Sequence, residues 1–226
     1  MAGVEALLRW KHPTLGAISS GEFVPLVEKT ALSRSMTEWV AHEAISQLSA
    51  WHRDGHTLNT SINASALNLE EEDFADRLLS WITAAGVPPA RVELEFTESA
   101  FADDAARVIH QLSVLRESDV NVAIDDFGTG YSNFSYLQRL PATVLKIDRS
   151  FVTGLDRSEK DQLLVRTLIT MAHGLGYRVV AEGIETRKTY DCLREWGCDE
   201  GQGYLMSRPV PPEQIVTRLE QDCIAA

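Results

Sequence analysis

The sequence predicts an α/β fold with a parallel sheet, either open and doubly wound or closed as a (β/α)8 barrel. Strand-like and helix-like segments alternate along the whole chain, which favours parallel strands joined by helices. No G-x-G-x-x-G motif follows the first strand, and this disfavours an open dinucleotide-binding sheet. Several predicted strands end in polar side chains, as barrel strands do at their catalytic face.

Seven segments have the length, the aliphatic content and the Gly, Pro, Asp or Asn boundaries of strands. They are Val4–Trp10, Leu58–Ala64, Arg91–Thr97, Val120–Asp125, Thr143–Asp148, Arg178–Gly183 and Glu200–Met206. Between them, apolar residues recur at three- and four-residue steps, for example from Met36 to Trp51 and from Leu163 to Leu175. A full barrel needs eight strands, so either the barrel is incomplete or one strand is absent from an end.

Composition limits the class of protein. The 226 residues form one predicted domain, 1–226, with a net charge of −12 that disfavours binding to a nucleic-acid polymer through phosphate contacts. Three cysteines form no CxxC pair, which is typical of reduced thiols. No apolar run approaches the roughly 18 residues of a membrane span, and the start lacks the pattern of a signal peptide. We therefore expect a cytoplasmic protein with no membrane segment.

Oxygen-bearing side chains accumulate near the ends of different strands. Six of them form an all-oxygen set, which suits Mg²⁺ or Mn²⁺ rather than structural zinc. They are Glu5, Asn63, Glu95, Asp125, Asp126 and Glu182. Adjacent aspartates could bridge two metal ions about 3.5–4 Å apart. The alternative is a set of solvated or salt-bridged acids.

Other polar patterns are weaker. Glu5 and Arg9 are predicted to share one face of the strand Val4–Trp10, and Lys146 and Asp148 one face of a later strand. The Gly128-Thr-Gly130 sequence indicates an ordinary turn more often than a phosphate-binding loop. The histidines show no ligand spacing, and four tryptophans, Trp39 among them, lie at helical spacing typical of core residues.

Seven blocks in order along the chain resemble the EAL domain, a bacterial family of cyclic di-GMP phosphodiesterases. They are Glu5-Ala-Leu-Leu-Arg9, Ile62-Asn-Ala-Ser65, Glu95-Phe-Thr-Glu98, Asp125-Asp-Phe-Gly-Thr-Gly-Tyr-Ser132, Lys146-Ile-Asp-Arg-Ser-Phe151, Ala181-Glu-Gly-Ile-Glu-Thr186 and Gln202-Gly-Tyr204. The resemblance extends from Gly3 to about Leu219 and implies a TIM-like (β/α)8 barrel of the EAL type. It also implies hydrolysis of cyclic di-GMP to linear pGpG with two metal ions, Mg²⁺ or Mn²⁺.

The resemblance implies a role for each matching residue. It gives the first metal the ligands Glu5, Asn63, Glu95 and Asp125, and the second metal Asp125, Asp126 and Glu182. Lys146 corresponds to the lysine beside the nucleophilic water, and Glu185 to a supporting acid of the catalytic group. Arg9 corresponds to the arginine on a substrate phosphate, and Gln202 lies in a block near the substrate.

The resemblance also implies self-association. Glu98 corresponds to the acid that anchors the loop 126–132, which contains Gly128 and Gly130 and couples a homodimer to activity in the family. Family members usually carry a helix and a first strand before the naming motif. We therefore expect the sequence as given to begin inside the second strand and the domain 1–226 to be N-terminally incomplete. The alternative function is a non-catalytic EAL module that binds cyclic di-GMP or a protein partner. The complete ligand set favours the enzyme.

Overall fold

The strands form one curled parallel sheet, which confirms the predicted EAL-type fold class. The computed structural model describes residues 3–97, 105–128, 137 and 139–224. The seven-stranded sheet has the order β1-β4-β5-β6-β7-β8-β9, and every neighbouring pair is parallel. Its strands are β1 (Gly3–Glu5), β4 (Asn59–Asn63), β5 (Val92–Thr97), β6 (Asn121–Phe127), β7 (Val144–Ile147), β8 (Arg178–Ala181) and β9 (Glu200–Gly201). A separate antiparallel hairpin joins β2 (Trp10–His12) to β3 (Gly16–Ile18).

Within the described residues, helices lie between most successive strands of the seven-stranded sheet, as the alternating sequence pattern predicts. They are α1 (Ser20–Val27), α2 (Leu32–Arg53), α3 (Ala66–Leu69), α4 (Phe74–Ala84), α5 (Ala105–Glu117), α6 (Arg149–Val152), α7 (Glu159–Gly174), α8 (Arg187–Glu195) and α9 (Glu213–Ile224). A 3-10 turn covers Pro89–Arg91. Helix α7 is capped at its start, because the Ser158 hydroxyl accepts a hydrogen bond from the Asp161 amide at 3.2 Å. No helix within the described ranges is long and apolar enough to cross a membrane.

Alternation along the strands separates the core from the site. In β5, the side chains of Val92, Leu94 and Phe96 are almost fully buried in the apolar core between sheet and helices. Because side chains alternate in a strand, Glu93 and Glu95 occupy the other face of β5. Burial of each large apolar side chain contributes roughly 1.5–3 kcal/mol, so the apolar face fixes which way the glutamates point.

Two predicted strands are wrong in extent. The segment Val4–Trp10 does not form one strand: β1 ends at Glu5, and Trp10 instead pairs with Ile18 in the hairpin. The turn of this hairpin is stabilised by His12, whose Nδ1 accepts backbone hydrogen bonds from residues 14 and 15, both at 3.2 Å. Consequently Glu5 and Arg9 do not share a strand face. The last predicted strand shortens from Glu200–Met206 to Glu200–Gly201.

One tryptophan also departs from its predicted position. Trp39 on α2 is 56% exposed, although its spacing predicts a core residue. Helical spacing identifies a face of a helix but cannot say how far the neighbouring element covers it.

The two edge strands of the sheet, β1 and β9, are linked by side chains. Gln202, directly after β9, donates from Nε2 to Oε2 of Glu5 at 2.7 Å. This hydrogen bond joins residues 197 positions apart in the chain. It spans the side of the sheet where β1 and β9 make no ladder with each other.

Candidate metal centre and active site

Lys146 lies at the centre of the acidic residues that the sequence singles out. Its Nζ lies 2.6 Å from Glu95 Oε2, 2.7 Å from Glu182 Oε1 and 3.3 Å from Asp125 Oδ1. The three acids come from β5, the end of β8 and β6, and parallel pairing brings the ends of those strands to one edge. Lys146 and Glu95 are each only 2% exposed, so both charges are removed from water.

A distortion of β6 lets adjacent aspartates serve the same site. Neighbouring side chains in a regular strand point to opposite faces. Here the register with β7 shifts between Ile124 and Phe127, and Asp126 adopts a left-handed backbone with φ 53°. The Asp126 amide donates to Asp125 Oδ1 at 2.9 Å, which favours this conformation locally. As a result, ligand atoms of Asp125, Asp126 and Glu182 all lie within 4.8 Å of one another.

Glu5 forms the other side of the site. Asn63, at the end of β4, donates from Nδ2 to Glu5 Oε1 at 2.9 Å, while Gln202 holds the second oxygen of the same carboxylate. Asn63 is also the register partner of Glu95. The amide groups of Asn63 and Gln202 therefore orient Glu5 from both neighbouring strand ends.

The site carries more carboxylate groups than the single Lys146 ammonium can neutralise. Burial raises the pKa of Glu95 to about 8, and the Glu5 and Asp125 carboxylates add to this while Lys146 opposes it. Burial likewise raises the pKa of Glu182 to about 7. Burial alone would lower the pKa of Lys146, but the surrounding carboxylates outweigh it and raise that pKa.

Asp126 shows the same excess of negative charge. Burial, followed by the charges of Asp125 and Asp148, raises the pKa of Asp126 to about 6. Asp148 is hydrogen-bonded to Asp126, so it is a neighbour of the site that sequence reasoning placed only on a strand face. The sequence feature that indicates Asp148 as a site residue is its position two residues after Lys146, on the same face of the predicted strand.

This donor set fits a divalent cation. Five carboxylates, those of Glu5, Glu95, Asp125, Asp126 and Glu182, surround one ammonium group. Burial raises three of their pKa values and the repulsion between the carboxylates adds to it, and added positive charge would relieve that repulsion. All of the donors are hard oxygens, the ligands that Mg²⁺ and Mn²⁺ prefer.

The remaining predicted site residues lie farther out or outside the described residues. Arg9 is exposed, donates to the Leu8 carbonyl at 2.9 Å and lines a cavity that also includes Asn63. Glu185 is exposed, and no hydrogen bond or ion pair of its side chain is seen among the described residues. Glu98 and Gly130 lie outside those residues.

Gly128, the last described residue of the loop, has a backbone that only glycine adopts readily. Its φ is +96°, and a Cβ there would lie 2.8 Å from the Phe151 ring. Gly128 is therefore closely packed on α6, which follows β7.

Comparisons with known proteins agree with this fold and identify its family. A family model described as "EAL domain" matches residues 1–209. The chain is 48% identical over 213 residues to "Cyclic di-GMP phosphodiesterase PA2567" of Pseudomonas aeruginosa, covering 94% of this chain and 36% of that protein. It is 41% identical over 217 residues to "Bifunctional diguanylate cyclase/cyclic di-GMP phosphodiesterase MucR" of the same organism, covering 96% of this chain and 32% of that protein.

Solved structures of EAL domains also match the fold of this chain. The structure "PaMucR Phosphodiesterase, c-di-GMP complex" matches with a TM-score of 0.90 and 41% identity, covering 95% of this chain and 87% of that one. An EAL domain protein from Listeria monocytogenes matches with a TM-score of 0.85 and 31% identity, covering 98% and 87%. The chain spans about a third of the length of the curated relatives it matches. On the sequence match, the superposition and the arrangement of the strand-end acids, the chain belongs to the EAL domain family.

Proposed function

We propose that this EAL domain hydrolyses one phosphodiester bond of cyclic di-GMP to give linear pGpG, using Mg²⁺ or Mn²⁺. The observation that carries the proposal is the cluster of five carboxylates around the buried Lys146. The relatives named for cyclic di-GMP phosphodiesterase activity and the matching complex with c-di-GMP support this substrate.

Asp125, Asp126 and Glu182 would hold one divalent ion, and Glu5, Asn63 and Glu95 would complete a second position with Asp125. Bound ions supply charge neutralisation at the phosphodiester and acidify a water molecule. The chain's own residues do the rest. Asn63 and Gln202 hold Glu5 in one orientation, and the bulged backbone holds Asp126 on the same side as Asp125.

Lys146 supplies a fixed positive charge next to the position proposed for the attacking water. Its ammonium is held by three carboxylate contacts and shielded from solvent, so it stays protonated at neutral pH. An ammonium in this position stabilises the hydroxide form of a water and orients it toward phosphorus. The Glu185 side chain, beside Glu182 in sequence, is proposed as a supporting acid.

Arg9 is placed to bind a phosphate of the substrate and not to act on the attacking water. Its guanidinium is exposed at the rim of the cavity that reaches Asn63, and a planar fork of donors grips a phosphate in a bidentate manner. Binding of a phosphate here precedes the reaction and persists through it.

The direct test is incubation with cyclic di-GMP and either Mg²⁺ or Mn²⁺, with chromatography to detect pGpG. We expect product with both ions, little with Ca²⁺, and none after chelation. Full activity after exhaustive chelation would exclude the mechanism. Tight binding without product under all metal conditions would instead favour the non-catalytic module.

Two substitutions separate chemistry from binding. Lys146→Ala should lower kcat by about 10²–10³-fold, because it removes a charge that acts on the reacting atoms. Arg9→Ala should weaken substrate affinity itself, since the phosphate contact exists in the ground state. If Lys146→Ala altered affinity alone, its assigned role would be wrong.

Two further parts of the proposal concern the whole chain. We propose that residues 1–226 act as one domain and that two copies form a two-fold homodimer near the loop 126–132. Sedimentation and activity measured across one dilution series test the dimer. A chain that stays monomeric at constant specific activity would contradict it.

A further inference from the structure

A cavity of about 320 Å³ opens beside the acidic site. It lies between the residues that follow β1, one face of α1 and the first turns of α2. Arg9 and Asn63 line this cavity, and Asn63 also contacts Glu5 of the acidic site, so a ligand whose phosphate meets Arg9 has an adjoining part within reach of the cavity. Its volume is at the low end of the roughly 300–1,000 Å³ that accommodates a whole small molecule. The cavity therefore suits one nucleoside half of a cyclic dinucleotide.

Helix α1 turns one stripe of residues toward the cavity. Gly21, Val24, Pro25 and Glu28 follow the i, i+3, i+4, i+7 spacing of a single helix face, and all four line the cavity. Gly21 leaves room, because a Cβ there would meet only the Ser19 hydroxyl, at 3.7 Å. The walls are otherwise largely apolar, including Met36 and Val40 of α2, and such walls suit the faces of a flat base.

Glu28 supplies the carboxylate among the residues that line this cavity, and neither the metal centre nor the proposed reaction uses it. It is half-buried, and burial raises the pKa of its carboxyl group. Among the described residues, no hydrogen bond or ion pair of its side chain is seen. Its backbone amide closes α1 by donating to the Val24 carbonyl at 2.9 Å, which holds the residue in place at the helix end. A carboxylate that is partly removed from water favours a ligand that donates hydrogen bonds to it.

We propose that Glu28 is a specificity-determining residue that accepts hydrogen bonds from the N1–H and the exocyclic N2 amino group of one guanine of the substrate. This proposal rests on the proposed function and names what selects its base. The two oxygens of a carboxylate match two parallel N–H donors on one edge, which guanine presents. Adenine presents an acceptor at N1, so the same carboxylate would face a lone pair and reject it. Hypoxanthine keeps the N1–H and lacks the amino group.

The test is calorimetric binding of cyclic di-GMP, its inosine analogue and cyclic di-AMP to metal-free protein in EDTA, so that turnover does not interfere. The unmodified protein should bind cyclic di-GMP about 10-fold or more tightly than the inosine analogue, and cyclic di-AMP most weakly. Glu28→Gln, which keeps the shape and removes the charge and one acceptor, should weaken cyclic di-GMP binding about 10–100-fold. It should weaken binding of the inosine analogue less, so that the preference for guanine collapses.

Glu43→Gln is the matched control, since Glu43 is an exposed glutamate on α2 that does not line the cavity. It should change neither the affinities nor their ratio, and circular dichroism with thermal melting should show Glu28→Gln folded. An unchanged ratio of guanine to inosine affinity in Glu28→Gln overturns the proposal, even if the protein hydrolyses cyclic di-GMP. A collapsed ratio in a protein that forms no pGpG supports the proposal and contradicts the catalytic function instead. If the unmodified protein binds none of the three ligands, both the proposed role of Glu28 and the proposed function are contradicted.

Discussion

Replacing Glu95 by glutamine should change how the metal-free protein responds to pH. Glu95 is 2% exposed and its pKa is raised from 4.5 to about 8. A carboxyl group whose pKa is raised by folding stabilises the fold below its unfolded pKa and loses that contribution as the pH rises through the folded value. The metal-free protein should therefore become less stable between about pH 5 and pH 8. Glu182, with a pKa of about 7, acts in the same direction.

The size of the effect follows from the shift. At about 1.4 kcal/mol per pKa unit, the Glu95 shift corresponds to about 5 kcal/mol at most. Glu182 is 18% exposed at the mouth, where water and buffer cations screen the cluster, so we expect about 2–5 kcal/mol in practice. For a domain of this size, about 2–4 °C in Tm accompanies each kcal/mol, which gives a fall in Tm of about 4–20 °C.

The assay is thermal unfolding in EDTA at pH values from 5 to 8, repeated with saturating Mg²⁺. Mg²⁺ should raise Tm more at pH 8 than at pH 5, because the carboxylates it needs are then ionised. Glu95→Gln should flatten the pH dependence in EDTA, and the exposed Glu43→Gln should leave it unchanged. A Tm that stays constant or rises with pH in EDTA, equally in the unmodified protein and in Glu95→Gln, would refute this account of the site's charge.

Three further substitutions test particular contacts. Gly203→Ala should lower the free energy of unfolding by about 1–3 kcal/mol, measured as the urea midpoint, because a Cβ there would lie 2.3 Å from backbone atoms of Ile184; an unchanged midpoint would contradict this packing. Gly128→Ala should cost about 1–2 kcal/mol in the same measurement because of its positive φ, and a stabilised variant would show that residue 128 does not hold this left-handed conformation. Gln202→Ala should weaken Mg²⁺ binding by about 10-fold through loss of its hydrogen bond to Glu5; intact metal affinity with weakened cyclic di-GMP binding would mean that Gln202 acts on the substrate instead.

Sequence reasoning predicted the sheet and the edge where the site lies because both follow from periodicity. The alternation in β5 separates Leu94 from Glu95, and parallel strands necessarily end on the same side. Periodicity places Lys146 only on one strand face with Asp148, and its position beside the reacting water is implied by the family resemblance alone. Nothing in the sequence indicates that this lysine contacts three acids.

The parts that were missed depend on the backbone or on distant contacts. The left-handed conformation of Asp126 and the register shift of β6 bring two consecutive carboxylates to one side, and regular strand geometry forbids that. β1 ends at Glu5 and a hairpin begins at Trp10, a change of direction that the apolar pattern of Val4–Trp10 does not indicate. The contact of Gln202 with Glu5 joins two residues that are 197 positions apart, beyond the reach of any local pattern.

That link between β1 and β9 has a consequence for how the protein folds. Contacts between residues far apart in the chain form late in folding, because the intervening chain must lose conformational entropy before the contact can stabilise the fold. Gln202, the partner that fixes the second oxygen of Glu5, is synthesised 197 residues after Glu5 and after every strand of the described sheet. An arrested or truncated chain that stops before Gln202 would therefore carry most of the acidic residues without the orientation of Glu5. Metal affinity would then develop at the final stage of folding, which makes a metal-binding measurement a test of whether the last strand has docked.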